Sequence, residues 1–157
     1  MVAVARKSVS VLLIVLVVFM IGVVFEESAH GHGSDITVWS SGFLSFSIPG
    51  AEGLYPSERS ATLNIASQSG VQVNFYADPL SYRGPGRERY ALDVTYLVED
   101  RSAVHHFKPG NNYTIRKEES GDHQFVVSGV VEITGIEKQP AGPYQGTIWV
   151  TVSALGH

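Results

Sequence analysis

His30 and His32 flank a single glycine and are the first side chains in this sequence that invite chemistry. A chain beginning at His30 or His32 offers an amino group and imidazole nitrogens, a set suited to copper(II) and acceptable to zinc. The pair stands in residues 26–35, a polar and glycine-rich stretch with no local group to orient the rings. The competing reading is therefore a plain polar leader. His105 and His106 are adjacent, and on a strand they face opposite sides, so they read as part of a polar edge strand rather than as joint ligands. His123 stands alone and reads as a surface or internally satisfied histidine.

Sets that carry catalysis are missing from the pattern. The chain has no cysteine, no Gly-x-Ser-x-Gly elbow and no His-Glu-x-x-His pair. Glu99-Asp100 and Glu118-Glu119 lie beside Arg101 and Lys117 and read as solvated loop charges. With no nucleophile, base and orienting group in reach of one another, the expectation is a protein that is not an enzyme and carries no cofactor. Three binding features remain. Asn112-Tyr113-Thr114 matches the acceptor triplet for N-glycosylation in an exposed loop. Arg83, Arg87 and Arg89 cluster with Tyr82 and Tyr90, either as a solvated loop or as a contact for an acidic surface or a glycan. Trp39, Tyr82 and Trp149 are the aromatics from which a glycan-binding row would be built.

These residues must be positioned by strands. Val9 to Phe25 is an uncharged apolar run of 17 residues preceded by Arg6 and Lys7, the layout of a secretory signal and close to the lower limit for a membrane anchor. Small residues at Ala29 and Gly31 place cleavage before His32. The expected organisation is a signal or anchor helix over residues 1–31, a flexible leader over 32–35 and one β domain over 36–157. Beyond residue 25 the apolar residues alternate with period two and no amphipathic helix of useful length appears. Leu44, Phe46 and Ile48 share one face of a segment that follows Ile36 to Trp39. Ala61 to Ala66 and Val71 to Tyr76, separated by Gln68-Ser69-Gly70, read as a hairpin. Residues 51–60 and 77–89 read as loops, and residues 100–121 as mostly polar loop with a short strand at Ala103 to Phe107. Tyr90 to Val98 alternates without a break, and Tyr144 to Ala154 reads as one long closing strand. Seven or more short strands between Gly/Pro turns give an all-β class, an Ig-like two-sheet β-sandwich.

Removing residues 1–31 takes away two basic and two acidic residues, so the net charge stays at −4. A mildly acidic surface disfavours nucleic acid as a partner and leaves the N-terminal segment, if retained, as the one membrane contact.

The most specific phrase is Ala141 to Val152: a glycine turn, Tyr144, Gly146, then Ile148, Val150 and Val152 alternating with outward Thr147, Trp149 and Thr151. It resembles the closing strand of secreted pilin-like β-sandwich domains, among them the spore-coat-U-type subunits and a related bacterial family of uncharacterised exported domains. Val127-Ser128-Gly129 before the last turn resembles those domains as well, although the spore-coat-U-type subunits commonly carry cysteines and this chain has none. The resemblance implies self-assembly, or assembly with other surface proteins, by donation of an extended segment to an open sheet edge. Ile36, Val38, Leu44, Phe46 and Ile48, with the leader, form the candidate donated strand, and in the competing reading they pair within their own sheet. The expected function is an extracellular or cell-surface structural or adhesive subunit. The alternatives are an exported copper- or zinc-binding sandwich using His30 and His32, and a glycan-binding module.

Overall fold

The computed structural model describes residues 13–16, 36–85 and 90–155. Those residues form twelve strands and a single turn of 3-10 helix at Ile136–Lys138. Nine strands make the larger sheet: β1 (Leu13–Leu16), β2 (Ile36–Ile48), β3 (Gly53–Pro56), β4 (Arg59–Ser67), β6 (Leu80–Tyr82), β7 (Ala91–Glu99), β8 (Val104–Phe107), β10 (Gly121–Ile133) and β11 (Tyr144–Gln145). Three make the smaller one: β5 (Val71–Ala77), β9 (Tyr113–Lys117) and β12 (Ile148–Ala154), in the order β12-β5-β9. The protein is thus mostly β, in two sheets that enclose one apolar core, as the alternating sequence predicts. The expected signal or anchor helix falls on residues outside the described ones, apart from Leu13–Leu16, which are strand here. No helix among the described residues is long and apolar enough to cross a membrane.

β10 is the spine of the larger sheet. Its first half pairs with β4, its second half with β3 on the same side, and β7 runs along its other side. Its 13 residues join into one strand the two segments, His123 to Val127 and Gly129 to Thr134, that the alternation predicts on either side of Ser128. Inward residues Phe125, Val127, Val131 and Ile133 are all buried, which is why the strand runs on through Gly129 without a turn. β2 is similarly one strand rather than two. Its register against β4 slips between Gly42 and Ser45, a bulge that re-aims the second half. Gly42 sits there with φ +79°, and a Cβ on it would lie 2.7 Å from the Ser60 carbonyl oxygen, so both backbone angle and space demand glycine.

The expected hairpin of Ala61 to Ala66 with Val71 to Tyr76 is not formed. β4 pairs with β2 and β10, whereas β5 pairs with β12 and β9 in the opposite sheet. Gln68-Ser69-Gly70 carries the chain across the sandwich, tied down where Leu155 N donates to Gly70 O at 2.8 Å. The supposed loops also contain pairing: β3 within 51–60, β6 within 77–89, and β9 within 100–121.

The closing segment is not one strand either. Tyr144–Gln145 pairs with β6 in the larger sheet, then the chain turns at Gly146-Thr147 and enters the smaller sheet beside β5. The partner chain bends in parallel, since β5 and β6 are consecutive. Gly146 is the inside of that corner: a Cβ there would lie 3.1 Å from the carbonyl oxygens of both Asp78 and Pro79.

The core is lined by Leu63, Ile65, Val73, Phe75, Tyr96, Phe125, Ile148 and their neighbours, with Phe75, Phe107 and Tyr96 in ring contact. One polar atom is out of place. The Tyr96 hydroxyl is buried with no hydrogen-bond partner among the described residues. Burial, with the Asp78 carboxylate adding to it, drives its pKa well above the ordinary tyrosine value. An unmatched hydroxyl costs stability, so Tyr96→Phe is expected to leave the protein unchanged or to stabilise it by about 1 kcal/mol, read from the urea midpoint. A loss of that size would show that the hydroxyl has a partner after all.

Candidate functional site

Two places gather the residues singled out above. The first is the edge of β2. Its inward residues Leu44, Phe46 and Ile48 are buried, while Ile36 and Val38 are half-buried against the same core. From Ile36 to Gly42 the strand pairs with β4 of its own chain, so the candidate donated segment is held at home. On its opposite edge, β1 runs antiparallel from Leu13 opposite Ile48 to Leu16 opposite Ser45. β1 also lies against β11, so the two ends of the sheet's path approach each other there. Among the described residues, nothing else pairs with that edge of Ser45 to Ile48. The closing strand completes the same end: Tyr144, Ile148, Val150 and Val152 are buried, with Gly146 at the corner.

The second place is Asp100, at the turn from β7 to β8. The sequence reads it as a solvated loop charge, whereas its side chain is only 3% exposed. The reason is an Asx-type turn. Asp100 Oδ1 accepts from Ser102 N at 2.7 Å, Ser102 Oγ at 2.6 Å and Ala103 N at 3.0 Å. Its other oxygen meets Lys117 Nζ on β9 at 2.7 Å and His105 Nε2 at 3.3 Å. His105 Nδ1 lies 2.9 Å from the Tyr113 hydroxyl, which closes the cluster. Burial alone would raise the Asp100 pKa. The Lys117 ammonium, the Ser102 hydroxyl and the two backbone N–H groups outweigh it and hold the carboxyl well below the usual range. All these donors converge on one carboxylate, so the chemistry of the cluster is a clamp: it binds the larger sheet's β7–β8 turn to the smaller sheet's β9. Asp-x-Ser in a polar stretch was the available signal for it.

The remaining candidates are dispersed. His30 and His32 lie outside the described residues, as do Arg87 and Arg89. Among the described residues no group of three or more His, Cys, Asp or Glu side chains could hold a metal ion. His105 and His106 face opposite sides of β8, half-buried and exposed in turn. His123 is half-buried, with Nε2 3.1 Å from the Glu119 carbonyl oxygen. Glu118 and Glu119 are exposed, as is Asn112 just before β9. Thr114 of the same triplet donates its hydroxyl to Asn74 Oδ1 at 2.6 Å. Arg83 is exposed, whereas Tyr82 packs on Tyr90 and Tyr144.

The three aromatics do not make one row: Trp39 stands on the larger sheet, Tyr82 is packed on β6, and Trp149 is on the smaller sheet, donating to Asp78 Oδ2 at 3.3 Å. No protein-family model matches the sequence, and no curated protein matches it.

Proposed function

We propose that this chain is an exported, non-catalytic structural or adhesive subunit of an extracellular surface assembly, joined to its neighbours by β-strand contacts. An export segment over residues 1–31 and an Ig-like packing of the two sheets are part of this reading. The observation that carries it is the pairing at the end of β2. The backbone of Ser45 to Ile48 finds its outer partner in Leu13–Leu16, inside the segment read as the export signal. Cleavage before His32 removes that partner and leaves a four-residue edge beside the core residues Leu44, Phe46 and Ile48. An unpaired edge next to an apolar face attracts a strand. An extended, alternating segment from another copy supplies both backbone hydrogen bonds and apolar side chains.

The chain beginning at His32 is therefore expected to form oligomers or filaments visible by electron microscopy and sedimentation. A synthetic peptide covering Val11 to Val17, in excess, is expected to occupy the edge and keep the protein monomeric. A mature chain that stays monomeric and stable at high concentration without the peptide would sink this reading.

A further inference from the structure

The strand register builds a surface of which the sequence marks only Trp39. On the outer face of the larger sheet Trp39 of β2 lies opposite Asn64 of β4, and Asn64 lies opposite Gln124 of β10. Three residues distant in sequence thus form one row, continued on the next row by Asp122. Trp39 is 50% exposed although it is among the largest apolar side chains in the protein. Gln124 Nε2 donates to Asn64 Oδ1 at 3.0 Å, which fixes both amides and leaves the Gln124 oxygen and the Asn64 amino group for a ligand.

A cleft of about 220 Å³ opens beside this row, bordered by Trp39, Asn64, Gln124, Asp122, His123 and Arg101. It adjoins a second of about 420 Å³ that shares Arg101, Asp122, His123 and Gln124 and continues to Arg116 and Glu119. Together they make a trough in the size range of small-ligand sites.

The chemistry of the lining selects the ligand. An exposed indole offers a flat apolar face with little conformational freedom to lose. Beside it stand amides, a carboxylate and a guanidinium, all planar groups that present donors or acceptors in pairs. A sugar ring is the complement of this pattern. One face carries C–H bonds that pack on an aromatic ring, and its rim carries vicinal hydroxyls that both donate and accept. Charge narrows the class. Arg101, Arg116 and Lys117 are met by Asp100, Glu118, Glu119 and Asp122, so the trough has no positive field to attract a polyanion.

We infer that this trough binds a neutral oligosaccharide, with one ring stacked on Trp39 and its hydroxyls held by Asn64, Gln124, Asp122 and Arg101. The site goes beyond the assembly reading and does not depend on it. Trp39 lies about 20 Å along β2 from Ser45, so a sugar in the trough and a strand at the edge do not compete.

The test uses the full chain in a Trp149→Phe background, which leaves Trp39 as the sole tryptophan. The probes are insoluble cellulose, chitin, mannan and β-1,3-glucan, with the soluble oligosaccharide of any polymer that retains the protein. Retention on at least one polymer is expected, with a blue shift of Trp39 emission and protection from acrylamide quenching. Trp39→Ala is expected to weaken binding on the order of tenfold or more, about 1.4 kcal/mol per tenfold. Gln124→Ala is expected to weaken it several-fold, with unchanged circular dichroism in both variants. With immobilised heparin as the charged control, retention on none of the neutral polymers, retention on heparin alone, or binding that survives Trp39→Ala overturns the proposal.

Discussion

Replacing Tyr144 with alanine is expected to destabilise the protein by about 4 kcal/mol, the middle of the range for deleting a buried ring. Tyr144 is fully buried immediately before the corner at Gly146, where the chain leaves one sheet for the other. Its ring packs on Tyr82 at 5.4 Å between centroids. Its hydroxyl is in reach of the Pro140 carbonyl oxygen at 3.0 Å and Gln139 Oε1 at 3.2 Å, so it ties the corner back to the preceding turn. Tyr144→Phe separates the two contributions: it keeps the ring and is expected to cost about 1 kcal/mol.

The hydroxyl also sets a pH response. Burial, with Tyr82 adding to it, pushes the Tyr144 pKa up to about 12, so the folded state holds this proton more tightly than the unfolded chain. The resulting stabilisation is fully present below about pH 10, the ordinary tyrosine value, and is lost as pH rises toward 12. Urea titrations at pH 8 and pH 11 are expected to show that loss in the wild type and a smaller one in Tyr144→Phe. An alanine variant within 1 kcal/mol of the wild type would mean that the corner holds without its tyrosine.

Asp100→Ala is expected to cost about 3 kcal/mol, because it strips the acceptor from the converging donors and leaves the Lys117 ammonium, 24% exposed, without its counter-ion. Asp100→Asn keeps the shape and one acceptor oxygen and is expected to cost less. The acid limb of the stability curve identifies the mechanism. The Asp100 proton binds more weakly in the folded state than in the unfolded chain, so its stabilisation is complete above about pH 4 and disappears as pH falls through the lower folded value. Unfolding midpoints measured from pH 7 down to pH 2 should fall less steeply for Asp100→Ala than for the wild type. Parallel curves would show that the clamp contributes nothing through its charge.

Period-two alternation carried much of this fold. Leu92, Val94, Tyr96 and Val98 face the core as their spacing predicts, and so do Ile148, Val150 and Val152. Pairing was a different matter. Gln68-Ser69-Gly70 is short enough for a hairpin, yet three extended residues also span the roughly 10 Å between two packed sheets, so length alone does not choose. β9 leaves a weak trace in the sequence because Ile115 is its one buried apolar residue at the edge of a three-stranded sheet. Asp100 was misplaced because a carboxylate beside Arg101 looks solvated until the turn that wraps it is known. The trough at Trp39 was out of reach for a related reason: residues 39, 64 and 124 meet through register, which composition and spacing do not encode.

The placement of β12 has a kinetic consequence. β5 comes early in the chain, yet its neighbours in the smaller sheet are β9 and, much later, β12, with Ala77 waiting for Ile148. Most tertiary neighbours are similarly remote in sequence, a topology that folds on a timescale of roughly milliseconds to seconds. In a nascent chain the edge of β5 that faces β12 therefore stays unpaired until the last strand has been made.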